Sequence, residues 1–192
     1  MKTIIIDGNN AKTARLRDDA LKHIEETYRR AFSAEMRLRP PRLAVTLARD
    51  GQIACAAAIR CHDEGFFSQH YLRDPISDVL SRQAGLCVAA RDILEVGGLA
   101  CASPFAAYPL LQAVFEWGRE RQIGWGLFTA TGEIRRLIRR ARITPVMLAQ
   151  ANAAQVPDPA EWGSYYEHDP WVCAFRDPAQ ITETAFTQAV SA

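Results

Sequence analysis

The chain has 192 residues, 48% apolar and 23% charged, and its formal net charge is +1. That length supports one sizeable core and leaves two full domains cramped. The balanced charge gives no global pull toward nucleic acid or an anionic membrane, and no run nears the ~18 apolar residues of a spanning helix.

Residues 3–6 (T-I-I-I) predict a short strand ended by Asp7-Gly8. A helix is predicted over 14–36, where Leu21, Ile24, Tyr28, Ala31 and Phe32 keep the helical period until Arg39-Pro40-Pro41 stops it. Leu43–Ala48 and Ile53–Arg60 flank the turn R-D-G-Q and predict a hairpin. Its second strand, I-A-C-A-A-A-I, is apolar throughout, as in a strand covered on both faces. C-H-D-E-G then predicts a loop, and Ile76–Ala84 a short helix with Asp74 as N-cap and Pro75 at its first position. Leu86–Ala90 and Ile93–Ala100 predict strands, Pro104–Gln122 a helix, Ile123–Ala130 a strand and Gly132–Arg142 a helix. Pro145–Ala151 fits a last strand or a short helix, and a loosely attached tail is expected after Asp177.

The succession strand, helix, strand, helix from Asp92 onward specifies a parallel pair with a crossover helix. Ligands of open α/β sheets gather at the carboxyl ends of such strands. The chemistry is therefore expected near Glu95–Cys101 and Thr129–Thr131.

Glu95 lies inside the apolar run I-L-E-V-G-G-L-A. A carboxylate there needs a partner or a raised pKa, so it is a candidate to orient or deprotonate an amine, or to pair with an arginine that does. Gly97 and Gly98 interrupt the same strand, as at a bulge or where a ligand approaches the backbone closely. Thr129 and Thr131 close the next strand, with Thr131 placed to cap the helix and leave its N-terminus for an anion. Arg135, Arg136, Arg139 and Arg140 repeat at i, i+4 with Arg142 beyond, which is either a solvated face or a docking patch for acidic helices or phosphates. In F-F-S-Q-H-Y, His70 is a general-base candidate because imidazole titrates near neutral pH. The five cysteines (55, 61, 87, 101 and 173) are odd in number and lack a C-x-x-C. Reduced thiols in a cytoplasmic chain are expected, with Cys55, Cys101 and Cys173 as packing residues. The N-terminus holds only three consecutive apolar residues, short of a secretory core. The four histidines lack ligand spacing, so no metal site is expected, and no tightly bound cofactor is implied.

With F-F-S-Q-H-Y-L at 66–72, E-V-G-G-L-A at 95–100, L-F-T-A-T at 127–131, L-A-Q-A at 148–151 and W-G-S-Y-Y at 162–166, the chain resembles the thermostable hemolysin family over roughly 17–174. That family is similar to the GNAT acyltransferase superfamily, and in layout to the autoinducer synthases that join an acyl chain to an amine. The resemblance implies an α/β fold: a mixed, mostly antiparallel sheet flanked by helices, with a splayed parallel pair, in one domain over 1–177. It implies acyl-CoA or acyl-phosphopantetheine as co-substrate, its pantetheine arm along Val96, Gly97 and Gly98; Thr129, Thr131, Arg135 and Arg139 are the residues expected to meet the donor from the helix N-terminus and the arginine pattern. It also implies that Tyr165 or Tyr166 returns a proton to the leaving thiolate. Acetyltransferases carry a glycine-rich pyrophosphate loop after this strand, whereas this chain has C-A-S-P-F-A-A-Y at 101–108. That departure favours acyl carrier protein as donor, docked on Arg135, Arg136, Arg139 and Arg140, or a long acyl-CoA held differently.

The expected activity is N-acyl transfer from a thioester to a small amine or amino-acid-like acceptor. The alternatives are a membrane-active hemolysin, which the lack of an apolar or basic amphipathic segment opposes, and a sensor that binds an acyl ligand without turnover. The 145–151 segment and the tail would allow an oligomer.

Overall fold

The computed structural model describes residues 1–8, 10–140, 144–177 and 179; the expected tail lies, apart from Ala179, outside them. Seven strands form one sheet: β1 (Lys2–Asp7), β2 (Arg42–Leu47), β3 (Ile53–Cys61), β4 (Ile93–Cys101), β5 (Trp125–Ala130), β6 (Val146–Gln150) and β7 (Trp171–Arg176). Their spatial order is β1-β2-β3-β4-β5-β7-β6. Every pairing is antiparallel except β4–β5. The expected mixed, mostly antiparallel sheet is thus present.

The helices are α1 (Ala14–Phe32), α2 (Ile76–Ala84), α3 (Ala107–Arg119) and α4 (Gly132–Arg140). On one face α1 buries Ala20 and Ile24 among Val45, Ala56, Ala58 and Ala100. On the other, Leu110 and Val114 of α3 pack on Ala57, Ile59, Leu94 and Val96. Ile76 and Leu80 of α2 join Ile93, Trp125, Leu127 and Val172. The alanines of β3 are therefore what lets helices approach both faces of one strand.

Two features of β4 shape the site. Its parallel pairing with β5 ends after Glu95↔Leu127, although both strands continue. They splay apart beyond that point, which leaves main-chain groups of β4 unpaired by β5. Against β3 the register steps from Ala56↔Ala100 to Ala58↔Gly97, so β4 carries one extra residue there. Gly98 supplies the bulge with φ 58°. A Cβ on it would stand 2.9 Å from Leu38 Cδ1 and 3.2 Å from Ile24 Cγ2.

Several boundaries differ from expectation. Helix α1 stops at Phe32 rather than residue 36, because Ser33 turns to φ 55° and returns its N–H to Arg29 O. Asp74 does not cap α2. Its carboxylate pairs with Arg82 at 2.5 Å, and the Gln69 side-chain oxygen accepts the Ile76 N–H at 3.0 Å instead. Residues 86–90 are not a strand, since no neighbouring strand pairs with them. Helix α3 begins at Ala107 after a single 3₁₀ turn over Pro104–Ala106. The 146–150 segment is a strand, β6, paired on one side with β7. Strand β7 was not expected at all.

The cysteine reading is corrected at one pair. Cys55 and Cys101 face each other across β3–β4 and are joined in a disulfide. Register alone brings them together, at a separation of 46 residues that hides the pairing in the sequence. Cys61, Cys87 and Cys173 are free.

Candidate functional site

The splay opens a small cavity of about 90 Å³ on the α1 face of the sheet. Ala58 and Arg60 of β3 and Val96, Gly97 and Gly98 of β4 line it, with Glu95 at its base. Tyr28, Leu38, Pro40, Phe67, Tyr71, Thr129, Trp162 and Tyr165 form the remaining wall. The Val96 side chain belongs to the opposite, α3-facing core, so this residue meets the cavity through its main chain. A Cβ built on Gly97 would touch nothing within 4 Å, so this stretch of strand borders open space.

Glu95 is 4% exposed. Its Oε2 accepts the Phe67 N–H at 2.6 Å, and its Oε1 accepts the Ser68 N–H at 2.8 Å and the Ser68 hydroxyl at 2.5 Å. A carboxylate offers about four acceptor positions, so one, on Oε2, stays open. Burial pushes the Glu95 pKa up, against the opposing pull of the Ser68 and Phe67 hydrogen bonds and the Arg60 charge. Glu95 thus has two effects: it fastens the 66–72 loop to β4, and it keeps a buried carboxylate with raised basicity facing the cavity.

That loop is locally self-fastened. Gln69 donates its amide to Leu72 O at 3.2 Å and Asp74 O at 2.9 Å while it accepts from Ile76. The Ser68 hydroxyl also meets the Thr129 hydroxyl at 3.0 Å, which links the loop to β5 across the splay.

W-G-S-Y-Y is a clasp on the end of α1. The Ser164 N–H and hydroxyl donate to Phe32 O at 2.8 and 3.2 Å, satisfying a terminal helix carbonyl. Gly163 has φ 53°, and a Cβ there would lie 2.1 Å from that same carbonyl oxygen, so only glycine fits. The clasp aims Tyr165 into the cavity, where its hydroxyl donates to Thr129 O at 3.2 Å. Burial raises the Tyr165 pKa well above the ordinary phenol value. Tyr28, Phe67, Trp162 and Tyr165 stack edge to face and tilted around this wall. Burial pushes the Tyr28 phenol up to about 12.

Of the residues singled out in the sequence, Glu95, Val96, Gly97, Gly98, Thr129 and Tyr165 come together here. Tyr166 turns away and shares a 2.8 Å hydrogen bond with Tyr71. His70 is exposed, packs its ring on Phe67, and lines a separate open groove of about 470 Å³ with His62, Phe66 and Gln69. Thr131 is a cap: its hydroxyl accepts the Ile134 N–H at 3.5 Å.

The arginines of α4 do not form one surface. Arg135 is 8% exposed, and its guanidinium donates to Ala130 O at 2.9 Å and to Asp169 O and Oδ2, both at 2.5 Å. That bonding ties the end of β5 to the 168–170 turn and takes Arg135 out of any surface patch. The hydrogen bond from Arg135 holds the Asp169 carboxyl below its usual range. Arg136 and Arg139 are exposed, while the Arg140 side chain and Arg142 lie outside the described residues.

The sequence reading missed Arg60, Tyr28 and Ser68. Arg60 stands opposite Glu95 in the β3–β4 register, and a lone charge at the end of an otherwise apolar strand was the signal available. Cys61, Asp63 and Glu64 cluster nearby, but the Arg42 guanidinium already pairs with Glu64 at 2.6 Å.

The fold is similar to that of FeeM, an N-acyl amino acid synthase from uncultured soil microbes (TM-score 0.60, 14% identity, 91% of this chain and 92% of that one). It is likewise similar to the AHL synthase LasI (0.58, 12%, 91% and 89%). A putative N-acetyltransferase from Lactobacillus plantarum shares it too (0.55, 12%, 91% and 97%). The family model for thermostable hemolysin matches residues 10–180, and the chain belongs to that family. No curated protein matches it. Among the described residues no helix is long and apolar enough to cross a membrane.

Proposed function

We propose that the protein is an N-acyltransferase that moves an acyl group from a thioester donor to a small amine or amino-acid-like acceptor. The observation that carries this reading is the splay of β4 from β5 immediately beyond Glu95, with open space beside Gly97 and a buried carboxylate of raised pKa at its base. The donor's pantetheine arm lies along Val96–Gly98 and bonds the main chain that β5 leaves free. The acceptor amine hydrogen-bonds the open position on Glu95 Oε2, which takes its proton. The nitrogen attacks the thioester carbonyl, a C–N bond forms, and the oxyanion is held by N–H groups of the splayed strand. Collapse breaks the C–S bond, and the thiolate takes the proton of the Tyr165 hydroxyl, whose high pKa keeps it protonated until then. Tyr165 is reprotonated at the expense of Glu95, so the amine proton ends on sulfur.

The donor is acyl-CoA or an acyl carrier protein. Exposed Arg136 and Arg139, near the carboxyl end of β5, support docking of an acidic carrier. The test is thiol release from acetyl-CoA, long-chain acyl-CoA and acyl carrier protein in the presence of pooled amines. Release that depends on an amine supports the reading; donor binding with no thiol release from any donor leaves a sensor instead.

A further inference from the structure

Among the described residues Arg60 is the one cation that lines the cavity, and Glu95 is its one anion. The two are Cα partners across β3–β4, so their side chains leave the same face of the sheet side by side. Yet Arg60 forms no hydrogen bond or ion pair among the described residues, and Glu95 directs its bonds to the 66–72 loop. Three other arginines of the fold sit in ion pairs: Arg42 with Asp7 and Glu64, Arg119 with Asp177, and Arg135 with Asp169. A guanidinium carries five donors in a planar fork, and the half-buried Arg60 presents that fork at the cavity with its donors open to a ligand.

We propose that the acceptor is an α-amino acid, with its carboxylate held by Arg60 and its amine on Glu95. This rests on the acyl-transfer reading above and fixes the acceptor's second group. An α-amino acid carries both groups on one carbon, which suits two side chains on directly paired strands, roughly 5 Å apart at the backbone. A plain amine leaves Arg60 unpaired, and a carboxylic acid without an amine leaves the open position on Glu95 Oε2 unfilled. On the acyl-transfer reading the donor runs along the β5 side of β4, whereas Arg60 stands on β3, so the acceptor is the better-placed partner. Carboxylate capture by the fork is bidentate, which lysine does not reproduce.

The test is calorimetric titration of the purified chain with the common L-α-amino acids, their carboxamides and the corresponding decarboxylated amines, repeated on Arg60→Met and Arg60→Lys. One or more acids are expected to bind at least about thirtyfold more tightly than their amide and amine. Arg60→Met is expected to erase that preference and Arg60→Lys to keep part of it, with circular dichroism unchanged. In turnover, Arg60→Met raises the acceptor KM and leaves the donor KM unchanged, and the acid limb of the pH profile moves up as the Arg60 charge leaves Glu95. Amides or amines that bind as tightly as the acids, absence of amino-acid binding, or an Arg60→Met variant with unaltered binding would overturn the inference. Amine-dependent thiol release without acid preference removes only this inference. Arg60-dependent amino-acid binding without thiol release removes the acyl-transfer reading and keeps the carboxylate site.

Discussion

The cavity and the outer end of β5 each hold an arginine near a carboxylate, and they treat the pair in opposite ways. At the β5 end, Arg135 gives its donors to Asp169 and to two main-chain carbonyls. In the cavity, Arg60 and Glu95 stand opposite each other and do not bond. The first arrangement is complete within the chain and explains architecture. The second is incomplete, and the missing partners have the chemistry of a zwitterion. Charge content alone does not separate the two; hydrogen-bond saturation does.

The sharpest way to break this contrast is at Glu95. Glu95→Ala should lower turnover by about 10²–10⁴-fold, the usual contribution of a positioned base. It should also raise amide exchange at Phe67 and Ser68, which lose their acceptor. Glu95→Gln should loosen the loop as well, because its amide NH₂ would face a backbone N–H; an activity loss with loop exchange unchanged would assign Glu95 to chemistry alone. In the parent, turnover should fall as pH drops through a midpoint above the usual ~4.3 of a glutamate, since only the ionised carboxylate accepts the amine proton. A midpoint at or below that value would contradict the buried-base role.

On the architectural side, Gly163→Ala places a Cβ against Phe32 O at a positive φ. It should cost about 3 kcal/mol in chemical denaturation. Reduction of Cys55–Cys101 should cost about 2–4 kcal/mol by loosening the unfolded chain. Because Cys55 packs in the α3-facing core, donor binding should be unchanged by reduction. Arg135→Ala should cost about 2 kcal/mol through the carbonyls left without donors and should leave acceptor affinity intact. The smallest effect concerns Asp169. Its pKa is lowered in the fold, so its contribution is present above the unfolded value of ~3.9 and is lost as pH falls through the folded one. The melting-temperature gap between the parent and Asp169→Asn should therefore narrow below about pH 4.

The site's first layer was legible because strand logic located it. A carboxylate and two glycines in an apolar strand, followed by a crossover helix, pointed to Glu95, Gly97 and Gly98. The rest depended on contacts between distant segments. Strand β7 inserts between β5 and β6 out of chain order, which local patterning does not encode. Residues 86–90 have strand composition and no partner. Ser68 fastens its loop to Glu95, and Gln69 replaces the expected Asp74 cap. Arg135 and Arg136 are adjacent in an arginine-rich helix, and only packing makes one buried and the other exposed. Arg60 ends an alanine-rich strand whose partner across the sheet lies 35 positions away in the sequence (95 − 60), so its pairing with Glu95 was invisible before the register was known.

The measurement that bears most directly on the central claim is native mass spectrometry of the parent and Gly97→Val against acetyl-CoA, long-chain acyl-CoA and acyl carrier protein. A valine at Gly97 has room within the chain itself, since no described atom lies within 4 Å of the added Cβ. The account predicts that the parent binds a thioester donor and that the folded variant loses it, because the side chain fills the path of the pantetheine arm. Equal donor binding by both proteins, or binding of no donor by the parent, would contradict a donor site on the splayed strand.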